Sequence, residues 1–201
     1  RNNPYWEVPY LPVDPSDLGR DYEPIVRINS QSGKGGVGYI LEQNFGLNLP
    51  PKMREAMGYA AKEESDHKNK ELLPEEIFEL FKRRFESLTH PYNITEVHFK
   101  QVNGITAEVH TEHEGKQEIT YAEGNGRLNA VSNALKKCFG LRYNLVTYQE
   151  HALEQSSSSR AIAYVGIQTP DEKLHWGAAV DPDIIRASID ALLTAINNSV
   201  L

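Results

Sequence analysis

Apolar positions recur with helical spacing twice in the first half of the chain. Met53, Met57 and Ala60 fall on one face of a segment opening at Pro50-Pro51, and Ile77, Phe78, Phe81 and Phe85 on one face of a segment opening at Pro74. Proline in the first turn is a helix start signal, because its missing N–H would find no intrahelical acceptor there. Between the two, Glu63-Glu64-Ser65-Asp66-His67-Lys68-Asn69-Lys70-Glu71 is almost wholly polar and predicts a solvated, mobile connection. Upstream, residues 25–29 and 37–41 predict two strands joined by the glycine-rich turn over residues 30–36. Prolines at 4, 9, 12 and 15 disfavour helix and central strand alike, so the first residues predict an extended arm.

After Thr89-His90-Pro91 the texture changes to strand alternation, and a domain boundary is expected near residue 90. Strands are predicted over residues 95–102, 105–112 and 117–122; then Gly124-Asn125-Gly126 breaks into a helix with Leu128, Val131, Leu135 and Cys138 inward. The second half repeats the order. Residues 143–148, 160–169 and 174–179 predict strands, and Asp181-Pro182-Asp183 opens a helix carrying Ile184, Ile185, Ser188, Ile189, Leu192 and Ile196. At an offset of 57, Leu128-Asn129-Ala130 falls on Ile185-Arg186-Ala187, and Ala134-Leu135 on Ala191-Leu192. An internal duplication accounts for this: two β-β-β-α units, each covering one sheet face with a helix, in a pseudo-two-fold domain. The expected fold class is α+β, with a helical and hairpin linker over residues 1–88 and the duplicated domain over residues 89–201. The serine run at 156–159 reads as a flexible connector in the second unit.

Charge narrows the partners. Twenty-one basic against 28 acidic side chains leave a net charge of -7, which offers no electrostatic footprint for nucleic acid or an anionic membrane. No apolar run approaches the roughly 20 residues of a membrane helix, and Arg1-Asn2-Asn3-Pro4-Tyr5-Trp6 lacks the apolar core of a signal peptide. Cys138 is the single cysteine, which excludes an intrachain disulfide and a cysteine-rich zinc site and fits a cytoplasmic protein.

Ser32-Gly33-Lys34-Gly35-Gly36-Val37-Gly38 imitates a phosphate-binding loop, but Tyr39 and Ile40 stand where the phosphate-reaching lysine and the metal-binding hydroxyl belong. That substitution argues against nucleotide hydrolysis and for a hairpin. His110-Thr111-Glu112-His113 has the look of metal ligands, yet residues three apart on a strand point to opposite faces, which predicts surface histidines. No complete catalytic constellation is present. Gly124-Asn125-Gly126 is more informative: glycines before a helix let a ligand approach the backbone, and the free N–H groups of the first turn can hold a carboxylate. The duplicated unit places the acidic Asp181-Pro182-Asp183 at the equivalent point. Donors for an anion in one unit and carboxylates for an amine in the other would suit a small zwitterion such as an amino acid.

Residues Val8-Pro9-Tyr10-Leu11-Pro12-Val13-Asp14-Pro15, Asp17-Leu18-Gly19-Arg20-Asp21-Tyr22-Glu23 and Arg27-Ile28-Asn29-Ser30-Gln31-Ser32-Gly33-Lys34-Gly35-Gly36-Val37 closely resemble the segment that follows the catalytic barrel in the 2-isopropylmalate synthase family. Gly124-Asn125-Gly126, Glu150-His151-Ala152 and Ala163-Tyr164-Val165 resemble that family's leucine-sensing domain, a domain type shared with citramalate synthases. The resemblance implies a fragment: linker subdomains followed by a regulatory domain that binds leucine and forms a homodimer. The acetyl-CoA site and the divalent-metal ligands would lie in a barrel before residue 1, so no cofactor is expected here and the fragment alone should be inactive. It further implies an effector pocket of Gly124, Asn125, Gly126, Leu145, Tyr148, Ala152 and Ala161, with Asp181, Asp183 and Ile184 at the opposite helix start. Tyr22 matches a tyrosine that the family places near the partner subunit's active site; a buried arm tyrosine is the other reading. Arg127 stands where the family usually has proline, which bears on effector geometry. Isoleucine as effector, as in a citramalate synthase, and a dimerisation scaffold without a working pocket remain the alternatives.

Overall fold

The computed structural model describes residues 34–153 and 159–201, which form two compact units. One holds the chain up to Arg84 together with the His151–Ala161 segment; the other holds Phe85–Glu150 and Ile162–Leu201. The expected arm, the strand at 25–29, Tyr22 and most of the serine run lie outside the described residues.

In the first unit, α1 (Lys34–Phe45) stands where the second strand, residues 37–41, and the end of the turn of the hairpin expected across residues 25–41 would lie. Val37, Ile40 and Leu41 are buried while Tyr39 is 55% exposed, a one-sided helical period rather than strand alternation. Glycines at 35, 36 and 38 cost a helix roughly 1 kcal/mol each relative to alanine, and burial of that stripe outweighs the penalty. Gly38 is also a point of close packing, since a Cβ there would overlap the Arg54 side chain.

α2 (Pro51–Lys68) buries Met53, Met57, Ala60 and Ala61 as its spacing predicts. It also runs through residues 63–68, where a mobile connection is expected from polarity. Those polar residues have helical partners: Glu64 pairs with Lys68 at 3.2 Å and Lys62 with Asp66 at 3.6 Å. Ser65 is buried, and its hydroxyl donates to the Lys70 carbonyl at 2.6 Å. Asn69, in the left-handed region, ends the helix with its N–H returning to the Asp66 carbonyl. α3 (Pro74–Phe85) carries Glu75 and Glu76 in its first turn and Lys82, Arg83 and Arg84 in its last, matching the helix dipole at both ends. Ile77, Leu80, Phe81 and Phe85 are buried, and Phe78 stacks on Phe45 with centroids 4.2 Å apart. His151 is buried in this unit. Its Nε2 accepts from the Asn48 N–H at 3.3 Å and its Nδ1 lies 3.0 Å from the Ala152 carbonyl, so Nδ1 carries the proton of a neutral ring. Burial holds its pKa below the usual value, against the opposing effect of the Ala152 bond.

The second unit has the β-β-β-α order twice. Strands β1 (Tyr92–Gln101), β2 (Ile105–His113) and β3 (Lys116–Gly124) form an antiparallel meander, followed by α4 (Arg127–Phe139). Strands β4 (Asn144–Ala152), β5 (Ala161–Gln168) and β6 (Leu174–Asp181) form a second sheet in that order, followed by α5 (Ile184–Val200). Ala107 and Val109 of β2 join Ala130, Val131, Ala134 and Leu135 of α4 in one core with Ala163, Val165 and Ile167 of β5 and Leu192 and Ile196 of α5. The first sheet thus buries the face its alternation marks as apolar, whereas β5 is buried on both faces from Ile162 to Ile167. Small residues let the helices seat closely: a Cβ on Gly177 of β6 would collide with the Ala191 carbonyl oxygen of α5. Two buried polar contacts fix the ends of these elements. Tyr143 sets its hydroxyl 2.7 Å from Ser132 Oγ, and burial pushes that phenol up to about 12. Asn197, fully buried near the end of α5, accepts from the Tyr92 N–H and donates to the carbonyls of Leu88 and Tyr92.

Candidate functional site

The start of α4 is built from residues that cannot fill it. Gly126 is the N-cap, in extended conformation, and brings no side chain to the first-turn N–H groups; the first intrahelical bond runs from the Ala130 N–H to the Gly126 carbonyl at 2.9 Å. Gly124 lies so close beneath the helix that a Cβ would overlap the Ala130 backbone. The loop between them is held from α4 itself. Asn129 accepts from the Asn125 N–H at 2.9 Å, and Asn133 donates to the Glu123 carbonyl at 2.8 Å.

The duplicated position behaves differently. Asp183 caps α5, its carboxylate accepting from the Ile185 N–H at 2.9 Å, and Asp181 accepts from the Asp183 N–H at 2.8 Å. One helix start is closed by a side chain of the chain itself; the other is open.

That open start borders a cavity of about 660 Å³, within the range of about 300–1,000 Å³ usual for small-molecule sites. Gly126, Arg127, Leu128 and Asn129 contribute from α4, Leu145 and Tyr148 from β4, and Ile185, Ser188 and Ile189 from α5. The lining is chiefly apolar, with one polar corner. There the Tyr148 hydroxyl donates to Glu150 Oε2 at 2.6 Å and lies 2.7 Å from Ser188 Oγ, which in turn lies 2.7 Å from the Ile184 carbonyl. Three contacts share two hydroxyl protons, so the corner has acceptor capacity left over. Burial, with the Glu150 carboxylate beside it, pushes the Tyr148 phenol up to about 12, and it stays neutral. Arg127 extends toward Phe99, its guanidinium carbon 5.7 Å from the ring centroid.

Of the residues expected at an effector site, Gly126, Leu145 and Tyr148 line this cavity. Gly124 and Asn125 shape the loop behind it. Ile185 lines it where Ile184 was expected, because one residue along a helix turns the side chain by about 100°. Asp181 and Asp183 are engaged with backbone N–H groups and are not among the lining residues. Ala152 and Ala161 fall in the other unit. Sequence reasoning missed Arg127, Leu128, Asn129, Ser188 and Ile189 as lining; the available signal was Ser188, a hydroxyl on the otherwise apolar stripe of α5. His113 packs against Tyr92 and Phe139 with centroids 4.6 and 6.0 Å away, on the sheet face opposite His110, as the strand spacing predicts. Residues 34–38 belong to α1 and make no phosphate-cradling loop.

The profile of the LeuA allosteric (dimerisation) domain matches residues 71–200. The chain belongs to this family. A second profile, the post-catalytic domain-like part of alpha-isopropylmalate synthase, matches residues 1–42 ahead of the LeuA domain. The chain is 47% identical over 197 residues to a 2-isopropylmalate synthase of Desulfitobacterium hafniense, covering 98% of this chain and 35% of that protein. It is 42% identical over 203 residues to one of Helicobacter hepaticus (96% and 36%) and 42% identical over 208 residues to one of Clostridium acetobutylicum (99% and 37%). The chain with its LeuA domain therefore spans about a third of the length of these relatives. Among the described residues no helix is long and apolar enough to cross a membrane.

Proposed function

We propose that the cavity between α4, β4 and α5 binds leucine, and that this chain is the feedback-sensing part of a 2-isopropylmalate synthase. The observation that carries the reading is the contrast between two equivalent helix starts: α5 is capped by Asp183, whereas α4 leaves its first-turn N–H groups facing an apolar cavity. An α-carboxylate fits the open start, where both hydrogen-bond donors and the helix dipole favour an anion. The isobutyl side chain fits among Leu128, Leu145, Ile185 and Ile189. The ammonium group would supply the protons that the Tyr148, Ser188 and Glu150 corner lacks.

In the parent enzyme the condensation of acetyl-CoA with 2-ketoisovalerate, and the divalent metal it uses, belong to a catalytic part outside this chain. The fragment alone is then inactive, works in the cytoplasm as part of a homodimer, and acts by biasing the catalytic part. Inhibition requires that leucine bind more tightly to the poorly active state, since equal affinity for both states shifts nothing. The test is parallel isothermal calorimetry with leucine, isoleucine and valine. Saturable leucine binding, with the other two weaker, supports the reading; isoleucine preference moves it to a citramalate synthase. Absence of binding to the chain and to the full-length enzyme leaves a dimerisation scaffold.

A further inference from the structure

On the sheet face turned away from α4, strands β1 and β2 place two histidines and two carboxylates on a square. The register sets Glu96 opposite His110 and His98 opposite Glu108, so the histidines lie on one diagonal and the acids on the other. Their rings are 5.8 Å apart by centroid and inclined at 77°, edge to face rather than stacked. Glu96 reaches both: one carboxylate oxygen is 2.5 Å from His98 Nε2 and the other 3.8 Å from His110 Nδ1. Glu108 takes the far nitrogen of His110, with Oε2 2.5 Å from Nε2.

We propose that Glu96, His98 and His110 form a binding site for a divalent transition ion of the zinc class. Their donor atoms lie within 4.8 Å of one another. Tetrahedral zinc with bonds of about 2.0–2.1 Å sets its ligand atoms about 3.3 Å apart. The contraction needed is at most about 1.5 Å, within reach of the side chains of Glu96 and His98, which are 52% and 56% exposed on a paired backbone. Two imidazoles and a carboxylate suit zinc, cobalt, nickel or copper and disfavour magnesium and calcium, which take oxygen ligands. Glu108 adds a second feature: its Oε2 lies 2.5 Å from His110 Nε2, so in a neutral ring it accepts the Nε2 proton and leaves Nδ1, on the Glu96 side, for the ion, the outer carboxylate arrangement that accompanies metal-bound histidines. A fourth position stays open to water. The ion would clamp β1 to β2, and the site is separate from the effector cavity and independent of its assignment.

The experiment uses the 201-residue chain without a histidine tag, titrated with zinc by calorimetry and with cobalt by its visible absorption. One saturable ion per chain is expected, with a raised melting temperature. His98→Gln and His110→Gln should each weaken binding at least tenfold, and Glu108→Gln by about tenfold. His175→Gln, in the second sheet, should leave it unchanged, and far-UV circular dichroism checks that each variant folds. In the wild-type chain, zinc should shift the imidazole proton resonances of His98 and His110 ahead of those of the other five histidines. Lack of saturable binding, or binding that survives the His98→Gln/His110→Gln double substitution, or zinc shifts centred on other histidines, would overturn the site.

Discussion

Substituting Gly126 by aspartate separates loss of the effector site from loss of the fold, because the two readouts should move in opposite directions. Position 126 is the N-cap of α4, its φ of -153° is open to any residue, and a Cβ there meets nothing within 4 Å. An aspartate can therefore enter without clash and turn its carboxylate onto the first-turn N–H groups, as Asp183 already does for α5 at 2.9 Å. Exchanging glycine for a capping side chain is worth a few tenths of a kcal/mol, and the charge at the positive end of the dipole about 0.3–1 kcal/mol more. A gain of about 0.5–1 kcal/mol corresponds to roughly 3 °C in melting temperature for a domain of this size. The same carboxylate occupies the proposed anion position. Losing a charge-assisted hydrogen bond of about 1.5–3 kcal/mol weakens the dissociation constant for leucine by about 10- to 150-fold. Thermal unfolding followed by circular dichroism and calorimetry with leucine measure the pair. A stabilised variant that binds leucine as well as the parent would refute the placement of the effector carboxylate. A destabilised one would refute the open helix start.

Gly177→Ala drives a Cβ into backbone atoms of α5 that cannot rotate away, so it should cost about 3 kcal/mol, the upper end for overpacking, read as a lowered urea midpoint. Tyr143→Phe leaves buried Ser132 without its hydroxyl partner and should cost about 1–3 kcal/mol in the same assay. His151 supplies a pH signature. Its folded pKa is lowered by burial, so the unfolded chain binds its proton more readily; its stabilising contribution is full above about pH 6.5 and is lost as pH falls from there through the lowered value. Urea unfolding at pH 5 and pH 7.5 should show a smaller pH difference in His151→Gln than in the parent; an identical difference would mean that the ring protonates in place without cost.

Periodicity carried most of the second unit. Strands with alternating or continuously apolar residues and helices with a single stripe obey local rules, so β1 to β6, α4 and α5 could be located from residue order and spacing. The first unit was harder for two physical reasons. In Val37-Gly38-Tyr39-Ile40-Leu41 glycines and β-formers speak for strand, and only burial of Val37, Ile40 and Leu41 together decides for helix. In residues 63–68 polarity suggested solvent, whereas ion pairs along the helix and with Arg83 of α3 give these side chains folded partners. At the candidate site, Gly126 was legible because a glycine before a helix has a local meaning. Leu145 and Tyr148 came from family resemblance. Ser188 left one local signal, a hydroxyl on an apolar stripe, but Ile189 was out of reach, since which face of α5 meets α4 depends on the packing of one duplicated unit against the other, and a shift from Ile184 to Ile185 changes the answer.

Helix α5 ties two distant points of its unit together. It is 17 residues long, about 25 Å end to end, with Ile185, Ser188 and Ile189 at the cavity and Asn197 clasping the backbone of Leu88 and Tyr92 near the other end. Thr194 adds a bond from the Leu88 N–H at 2.9 Å. A helix this well packed moves as a stiff rod, so a nudge where a ligand seats arrives as a tug on the strand of chain that leads into β1. The amide protons of Leu88 and Tyr92 become its strain gauge: their exchange with deuterated water should slow or quicken on ligand addition, although neither residue touches the cavity.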